Sequence, residues 1–342
     1  AGLHLPVQIA AEVWYCEGRD KISANLAEVR PTLMTAVPRL YEVLHDRITK
    51  GVTAKGGLSA KLFTQAVSLG RKKLAGQRLG VGEAVLDRLL DRLVRQKVRQ
   101  RFGGRLAYFV SGGAALNSDI GTFFLALGVN ILQGYGQTEA SPLISANRPG
   151  GIRIETVGPA VDGVEVTLGK DGELLARGDC LMKGYWRNDV ATAETLNGGW
   201  LHTGDIAEID GDGYITITGR KKDMIVNSGG DNIAPTKVEA EYSIESEIAQ
   251  IMVWGDKRPH MVAVIVPSEE VRALDKAGQQ EQVAAAVRRA GKRLAGYERI
   301  RHFLIADEEF SIENGQMTPT LKVRRHVVSA AYEHRLAGLY RN

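Results

Sequence analysis

The apolar positions of this chain change period along its length, and the changes divide it. The stretch LAYFVSGGAALNSDIGTFFLALGVNIL contains two short continuous apolar runs, Leu106 to Val110 and Val129 to Leu132. Their length suits strands buried on both faces, and Asn117 or Ser118 can cap the helical pattern between them. The prediction is a parallel βαβ unit. Upstream, Leu86, Leu89, Leu90, Leu93 and Val94 recur three and four residues apart, with Asp87, Arg88, Asp91, Arg92 and Arg95 between them, which predicts an amphipathic helix. From Gly158 to Gly219 the period falls to two, in short alternating strands separated by turns such as Asp171-Gly172, Asn197-Gly198 and Asp212-Gly213. The last of them, GYITITGR, runs into a KKD turn, and beyond it an α+β pattern restarts. Strands are expected near Ile225, over Ile251 to Trp254 and over Met261 to Val266, with a helix whose Val283, Val287, Ala290 and Leu294 keep one face. The expected organisation is α/β: a large domain over 1–221, with a parallel βαβ sheet and a small β-rich subdomain, then a smaller α+β domain over 222–342.

Composition fits that plan. The chain has 342 residues, 44% hydrophobic and 25% charged, as in a soluble globular protein of about two domains. No run approaches the roughly 18 apolar residues that cross a bilayer, and no basic-then-apolar leader opens the sequence, so a cytoplasmic location is the default. Cys16 and Cys180 stand far apart without ligand-spaced neighbours, so they are expected to be buried, reduced thiols. The opening AGLHLPVQIAAEVWYC reads as an amphipathic segment without a starting methionine, and further sequence is expected in front of it. Charge adds one feature. Between Arg47 and Arg105, fifteen Lys or Arg face only Glu83, Asp87 and Asp91, a local balance of +12 within a chain of net +4. Two readings stand: a solvated surface helix packed on its leucine side, or a surface attracted to anionic lipid or acidic cofactors. No nucleic-acid partner is expected.

Candidate chemistry concentrates in ILQGYGQTEASP, Ile131 to Pro142. A strand feeding a glycine-rich turn lets another group approach the backbone. Thr138 offers a hydroxyl to phosphate oxygen, Glu139 a hard carboxylate for Mg²⁺ and Tyr135 a flat face for a base. A second glycine-rich turn, Ser111 to Ala115, also follows a strand, and open α/β sheets bind ligands at the carboxyl ends of their strands. Together these suggest a metal-bound nucleotide.

Six segments in order, SGGAAL, YGQTE, GELLARGDCLMKGYW, WLHTGD, GRKKDMIVNSGGDNIAP and TPTLKVRR, resemble the adenylate-forming ligases, and their wording is most similar to the long-chain acyl-CoA synthetases. VRPTLMTAVPRLYEVLHDRI is similar to the segment that follows the acyl-pocket region in the long-chain branch. The resemblance covers nearly the whole chain. It implies activation of a long-chain fatty acid by ATP to an acyl-adenylate, then transfer to CoA with release of AMP and pyrophosphate. It also implies the residues: Gly112, Gly113, Ala114 and Ala115 edging adenine, Tyr135 stacking on it beside Gly136, and Thr138 on phosphate with Glu139 on Mg²⁺. Asp205 would accept the ribose hydroxyls, with Arg220 adding a ribose or phosphate contact. Lys222 would be the hinge, Gly229 and Gly230 the loop passed by the pantetheine arm of CoA, and Lys322 the mobile catalytic lysine. Fatty acid, ATP and CoA are thus the implied partners, with Mg²⁺ as cofactor.

Two departures qualify the resemblance. The family's Ser/Thr/Gly-rich phosphate loop, ending in Pro-Lys-Gly, is not in this chain, which is therefore expected to be a portion of an enzyme. Leu321 also stands where many relatives carry glycine, a variation shared by the long-chain branch. Two alternatives stay open: a relative that loads a carrier protein, and a non-catalytic nucleotide or acyl-CoA binding module. His202 reads as a hydrogen-bonded turn residue rather than a base, because activating a carboxylate needs no proton abstraction. His4, His45, His260, His302, His326 and His334 have no ligand spacing, and Trp186, Trp200 and Trp254 read as core or turn packing.

Overall fold

A computed structural model describes residues 4–18, 21–318 and 321–341. The chain divides into two compact units, Ala1–Thr203 with Ala207–Ile217, and Gly204–Ile206 with Thr218–Asn342.

The first unit opens with α1 (His4–Gln8), α2 (Ile22–Val29), β1 (Leu33–Ala36), α3 (Pro38–Lys55), α4 (Gly57–Leu74) and α5 (Val81–Leu90). A π-turn over Asp91–Arg95 leads into α6 (Gln96–Arg101), followed by β2 (Tyr108–Ser111), α7 (Ser118–Ala126), β3 (Ile131–Gly136) and β4 (Leu143–Ala146). These strands form one sheet in the order β1-β2-β3-β4, with β1, β2 and β3 parallel and β4 antiparallel. The expected βαβ unit is β2-α7-β3. Its helix starts where the Asn117 carboxamide accepts from the backbone N–H of Asp119 and Ile120, satisfying donors that a first turn leaves open. Under the sheet, the rings of Phe102 and Tyr41 meet Phe109 edge-on at 5.5 and 5.4 Å, the offset geometry that aromatic quadrupoles favour.

The predicted leucine helix is corrected in two respects. It is interrupted by the π-turn, and Leu89 and Leu93 face outward, 50% and 41% exposed, while Leu90 and Val94 are buried. The cause lies in Arg95, which is turned inward. Its guanidinium donates to the carbonyls of Ala126 and Ala66, each at 2.8 Å, and meets the Asp87 carboxylate at 2.7 Å. A buried cation needs such partners, and the widened turn puts Arg95 and Asp87 on one face.

The first unit continues with β5 (Val164–Leu168), β6 (Glu173–Gly178), α8 (Asp189–Thr195) and β7 (Leu196–Asn197); β8 (Trp200–Ile209) and β9 (Ile215–Arg220) follow and are shared, with Gly204–Ile206 of β8 and residues 218–220 of β9 counted in the second unit. Their sheet runs β5-β6-β8-β7 with β9 on β8. The turn between β7 and β8 places Gly198 and Gly199 at φ of 59° and 79°, which glycine alone adopts without cost.

The second unit contains β10 (Ile225–Val226), β11 (Asn232–Ile233), α9 (Pro235–Tyr242), β12 (Ile248–Trp254) and β13 (Met261–Pro267), followed by α10 (Glu269–Arg272), α11 (Lys276–Gly291), β14 (Ile300–Ile305) and α12 (Arg325–Gly338). Strand β13 lies between antiparallel β12 and parallel β14. Every residue of β13 is buried, which accounts for its unbroken apolar run. Met261, Ala263 and Ile265 pack with α9 and α11, while Val262, Val264 and Val266 pack with Val328, Tyr332 and Leu336 of α12. At the start of α12, Arg325 holds Glu239 of α9 in a buried two-pronged pair and also donates to the Val253 carbonyl at 3.2 Å. Burial pushes the Glu239 carboxyl above its ordinary range despite the guanidinium beside it.

Candidate nucleotide site

In the first unit, the carboxyl ends of parallel β2 and β3 present the two glycine-rich turns side by side. Gly113, Ala114 and Ala115 are exposed and Gly112 half-buried, and a Cβ on Gly112 would stand 3.5 Å from the Gly134 carbonyl. Gly136 has a close neighbour within the chain: a Cβ there would lie 1.8 Å from the Pro142 carbonyl, so the return into β4 already requires glycine. Tyr135 is half-buried against the cluster of Ala140, Ile144, Ala176 and Leu201. Thr138 and Glu139 open a short 3₁₀ turn beyond β3, with Thr138 exposed and Glu139 half-buried.

Glu139 is held from a distant part of the sequence. The Tyr185 hydroxyl donates to Glu139 Oε1 at 2.8 Å, and the Met182 N–H donates to the Glu139 carbonyl at 2.8 Å. Accepting that bond, the carboxylate pushes the Tyr185 hydroxyl above the usual phenol range. Sequence reasoning missed Tyr185, although it lies inside the GELLARGDCLMKGYW segment. The donor set suits Mg²⁺. Among the described residues no cluster of three His, Cys, Asp or Glu side chains could hold a metal by itself, and Mg²⁺ is commonly held by one or two carboxylates completed by phosphate and water. Glu139, with Oε1 engaged by Tyr185, fits that single-carboxylate role.

In the second unit, Asp205 of β8 and Arg220 of β9 face each other, with Arg220 Nε 3.6 Å from Asp205 Oδ1. The Asp205 side chain is only 13% exposed and that of Arg220 is 53% exposed. Lys222 is exposed in the turn after β9, where Asp223 and Met224 donate to the Arg220 carbonyl. Gly229 and Gly230 are exposed in the loop joining β10 and β11. Buried Asn227, another residue missed in the sequence, organises this loop: its Oδ1 accepts from the N–H of Gly229 at 3.0 Å and of Asp231 at 2.9 Å. Gly230 has φ of 86°, a conformation that favours glycine.

Lys322 lies in a loop before α12 with its side chain exposed. The loop closes on Thr318, whose N–H donates to the Lys322 carbonyl at 2.9 Å and whose hydroxyl accepts from the Lys322 N–H at 3.0 Å. Leu321 has φ of 62°, in the left-handed region that favours glycine. Pro319 and Thr320 of the same motif, and the side chain of His4, lie outside the described residues.

Two further expectations are corrected, those for the cysteines and for His202. Cys16 is exposed and Cys180 half-buried, both as free thiols. Trp186 sits in a turn, one of its two expected settings, 86% exposed with the Arg187 guanidinium 5.5 Å from its ring. His202 belongs to β8 rather than a turn, its Nδ1 3.4 Å from the Glu173 carboxylate. No helix among the described residues is long and apolar enough to cross a membrane.

Residues 1–186 match the AMP-binding enzyme family, and residues 222–342 match the AMP-binding enzyme C-terminal domain. A long-chain-fatty-acid–CoA ligase of Mycobacterium bovis is 34% identical, covering 92% of this chain and 56% of its own length. A peroxisomal long chain acyl-CoA synthetase of Arabidopsis thaliana is 30% identical, covering 94% of this chain and 50% of its own length. The chain therefore spans about half the length of the curated relatives it matches. Among solved structures, the A-PCP didomain of a carboxylic acid reductase from Segniliparus rugosus, in complex with AMP, superposes with a TM-score of 0.69 at 24% identity, over 94% of this chain and 43% of that one. An anthranilate CoA ligase in complex with anthranoyl-AMP gives 0.64 at 22% identity, over 96% and 55%. These likenesses establish the fold as that of adenylate-forming ligases. With a family match over more than half of its residues, the chain belongs to the AMP-binding enzyme family.

Proposed function

We propose that this chain is the nucleotide-handling and domain-moving part of a ligase that activates a long-chain fatty acid with ATP and passes it to CoA. The observation that carries the reading is the Tyr185-braced Glu139 at the end of β3, next to the glycine-rich turn after β2. A carboxylate attacking the α-phosphate of ATP builds a crowded negative transition state, which needs cations and donors fixed in place. Thr138 donates to phosphate. Glu139 would hold Mg²⁺, which when bound supplies charge neutralisation to the phosphates. Asp205, part-buried and paired with Arg220, accepts from the ribose hydroxyls, and Arg220 is left with donors free for ribose or phosphate. Tyr135 offers its accessible ring to adenine.

The second unit supplies two reagents on separate loops. Lys322 is an exposed ammonium on a strained, short-pinned loop and serves acyl-adenylate formation. The Asn227-braced loop at Gly229 and Gly230 offers a surface without side chains, along which a pantetheine arm can pass, and serves thioester formation. Lys222, exposed in the turn after β9, is the pivot by which one loop replaces the other. The substrate class, a long-chain fatty acid, draws its support from the names of the Mycobacterium bovis and Arabidopsis thaliana relatives.

The experiment separates the half-reactions. Lys322→Ala should slow acyl-adenylate formation from ATP and palmitate by about 10²- to 10³-fold, the cost of one lost transition-state contact. Transfer of preformed palmitoyl-adenylate to CoA should stay near the wild-type rate. Equal loss in both would contradict the assignment of Lys322 to the first step.

A further inference from the structure

Helix α5 and its continuation carry an apolar ridge that faces water. Val81, Val85, Leu89 and Leu93 follow one another at four-residue intervals and are 86%, 65%, 50% and 41% exposed. On the opposite face Asp87, Leu90, Val94, Arg95 and Val98 are buried. Four large apolar side chains in a row on a helix already anchored by its other side form a patch of the kind that marks an interaction site rather than chance exposure.

Charge identifies the occupant. Toward the protein, the cations of this region are matched: Lys72 with Glu83 at 2.6 Å, Lys73 with Asp87 at 3.0 Å and Arg99 with Asp91 at 3.0 Å. Along the outward side Arg88, Arg92 and Lys97 are exposed and form no hydrogen bond or ion pair among the described residues. An apolar ridge flanked by unmatched cations, within a stretch of net +12, is complementary to a surface that is negative outside and apolar beneath. Beside the ridge a groove of about 760 Å³, with Leu74, Leu89 and Leu125 among its walls and Lys73, Arg88 and Arg92 at its rim, leaves room for an anionic headgroup.

We propose that this face lies on an anionic lipid bilayer, with Val81, Val85, Leu89 and Leu93 at the level of the acyl boundary and Arg88, Arg92 and Lys97 among the headgroups. Choosing a bilayer rather than a protein partner rests on the ligase reading, whose acid substrate partitions into lipid. The arrangement sets the enzyme down where that substrate is concentrated.

The test is co-sedimentation of the protein with vesicles of phosphatidylcholine alone and of equimolar phosphatidylcholine and phosphatidylglycerol, without nucleotide, CoA or fatty acid. Because no substrate is present, failure here is separable from failure of the ligase reading. Binding should require phosphatidylglycerol and weaken as salt rises. Arg88→Gln and Arg92→Gln should each weaken it about fivefold. Leu89→Gln with Leu93→Gln should weaken it by at least about tenfold, while circular dichroism shows the fold intact. Binding that survives the leucine changes would overturn insertion of the ridge. So would no binding to the anionic vesicles, or a lipid-free change of oligomeric state on altering the ridge, which would make it a self-association face.

Discussion

Tyr185 and Glu139, far apart in sequence, meet through a 2.8 Å hydrogen bond from phenol to carboxylate Oε1. The bond fixes the rotation of the one carboxylate at the end of β3, leaving Oε2 aimed by a partner that is itself only 36% exposed. Tyr185→Phe keeps the ring and removes the donor. A bond to a charged acceptor is worth about 1.5–3 kcal/mol when buried, and about 1 kcal/mol is the scale at this half-open site. Binding of Mg·ATP should weaken about fivefold in calorimetric titration, with AMP binding unchanged, since AMP recruits no Mg²⁺ through Glu139. Equal weakening of both ligands would show that Tyr185 only supports the fold.

The buried Arg95 on the π-turn makes acid a specific threat to the first unit. Burial raises the Asp87 carboxyl, but hydrogen bonds from Lys73 and Arg95 overcome it, so the group sits below its ordinary range; Arg99 does the same for Asp91. Carboxylates depressed in the folded state contribute stability that is complete above their unfolded value of about 3.9 and is lost as pH falls through the lower folded value. Wild-type stability to urea should therefore drop below about pH 4. Asp87→Asn strands the Arg95 charge and should cost about 3–5 kcal/mol at neutral pH. Its stability should then change less between neutral pH and pH 3 than that of the wild type. A variant as stable as wild type at neutral pH would refute the buried-pair account.

Much of the fold was legible in the chain because it was local. The β2-α7-β3 unit followed from two short apolar runs and an Asn117 cap, and β13 from a run with no polar interruption. What escaped was set by distant partners. The π-turn cannot be told from an ordinary helix by spacing, since Arg95 turns inward only because the Ala66 and Ala126 carbonyls wait there. Leu89 and Leu93 fit the leucine period yet face water for the same reason. Tyr185 reaches Glu139 across a gap no local pattern records, and the Pro142 carbonyl that requires glycine at Gly136 is brought there by the turn into β4. Asn227 was hidden beside the more conspicuous Gly229 and Gly230, whose loop it braces.

Leu321, with φ of 62°, adopts a backbone in which a side chain is strained by about 1–2 kcal/mol. Replacing alanine by glycine ordinarily destabilises by about 0.5–1 kcal/mol through the unfolded chain. Here the sign should reverse: Leu321→Gly should be more stable to denaturant than Leu321→Ala by about 0.5–1 kcal/mol, the strain relieved less the entropy lost. If Leu321→Ala were the more stable variant, the left-handed geometry next to Lys322 would be wrong.

The central claim is that Asp205 receives the ribose of a bound nucleotide, and a sugar without hydroxyls tests it most directly. Wild-type protein should bind AMP more tightly than 2′,3′-dideoxy-AMP by about 2–4 kcal/mol, the worth of two hydrogen bonds to a carboxylate, or about 30- to 10³-fold. Asp205→Ala should bind the two nucleotides equally, at the weaker affinity, so that the preference vanishes in the double comparison. A preference that survives undiminished in Asp205→Ala, measured by the same titration, would contradict the account.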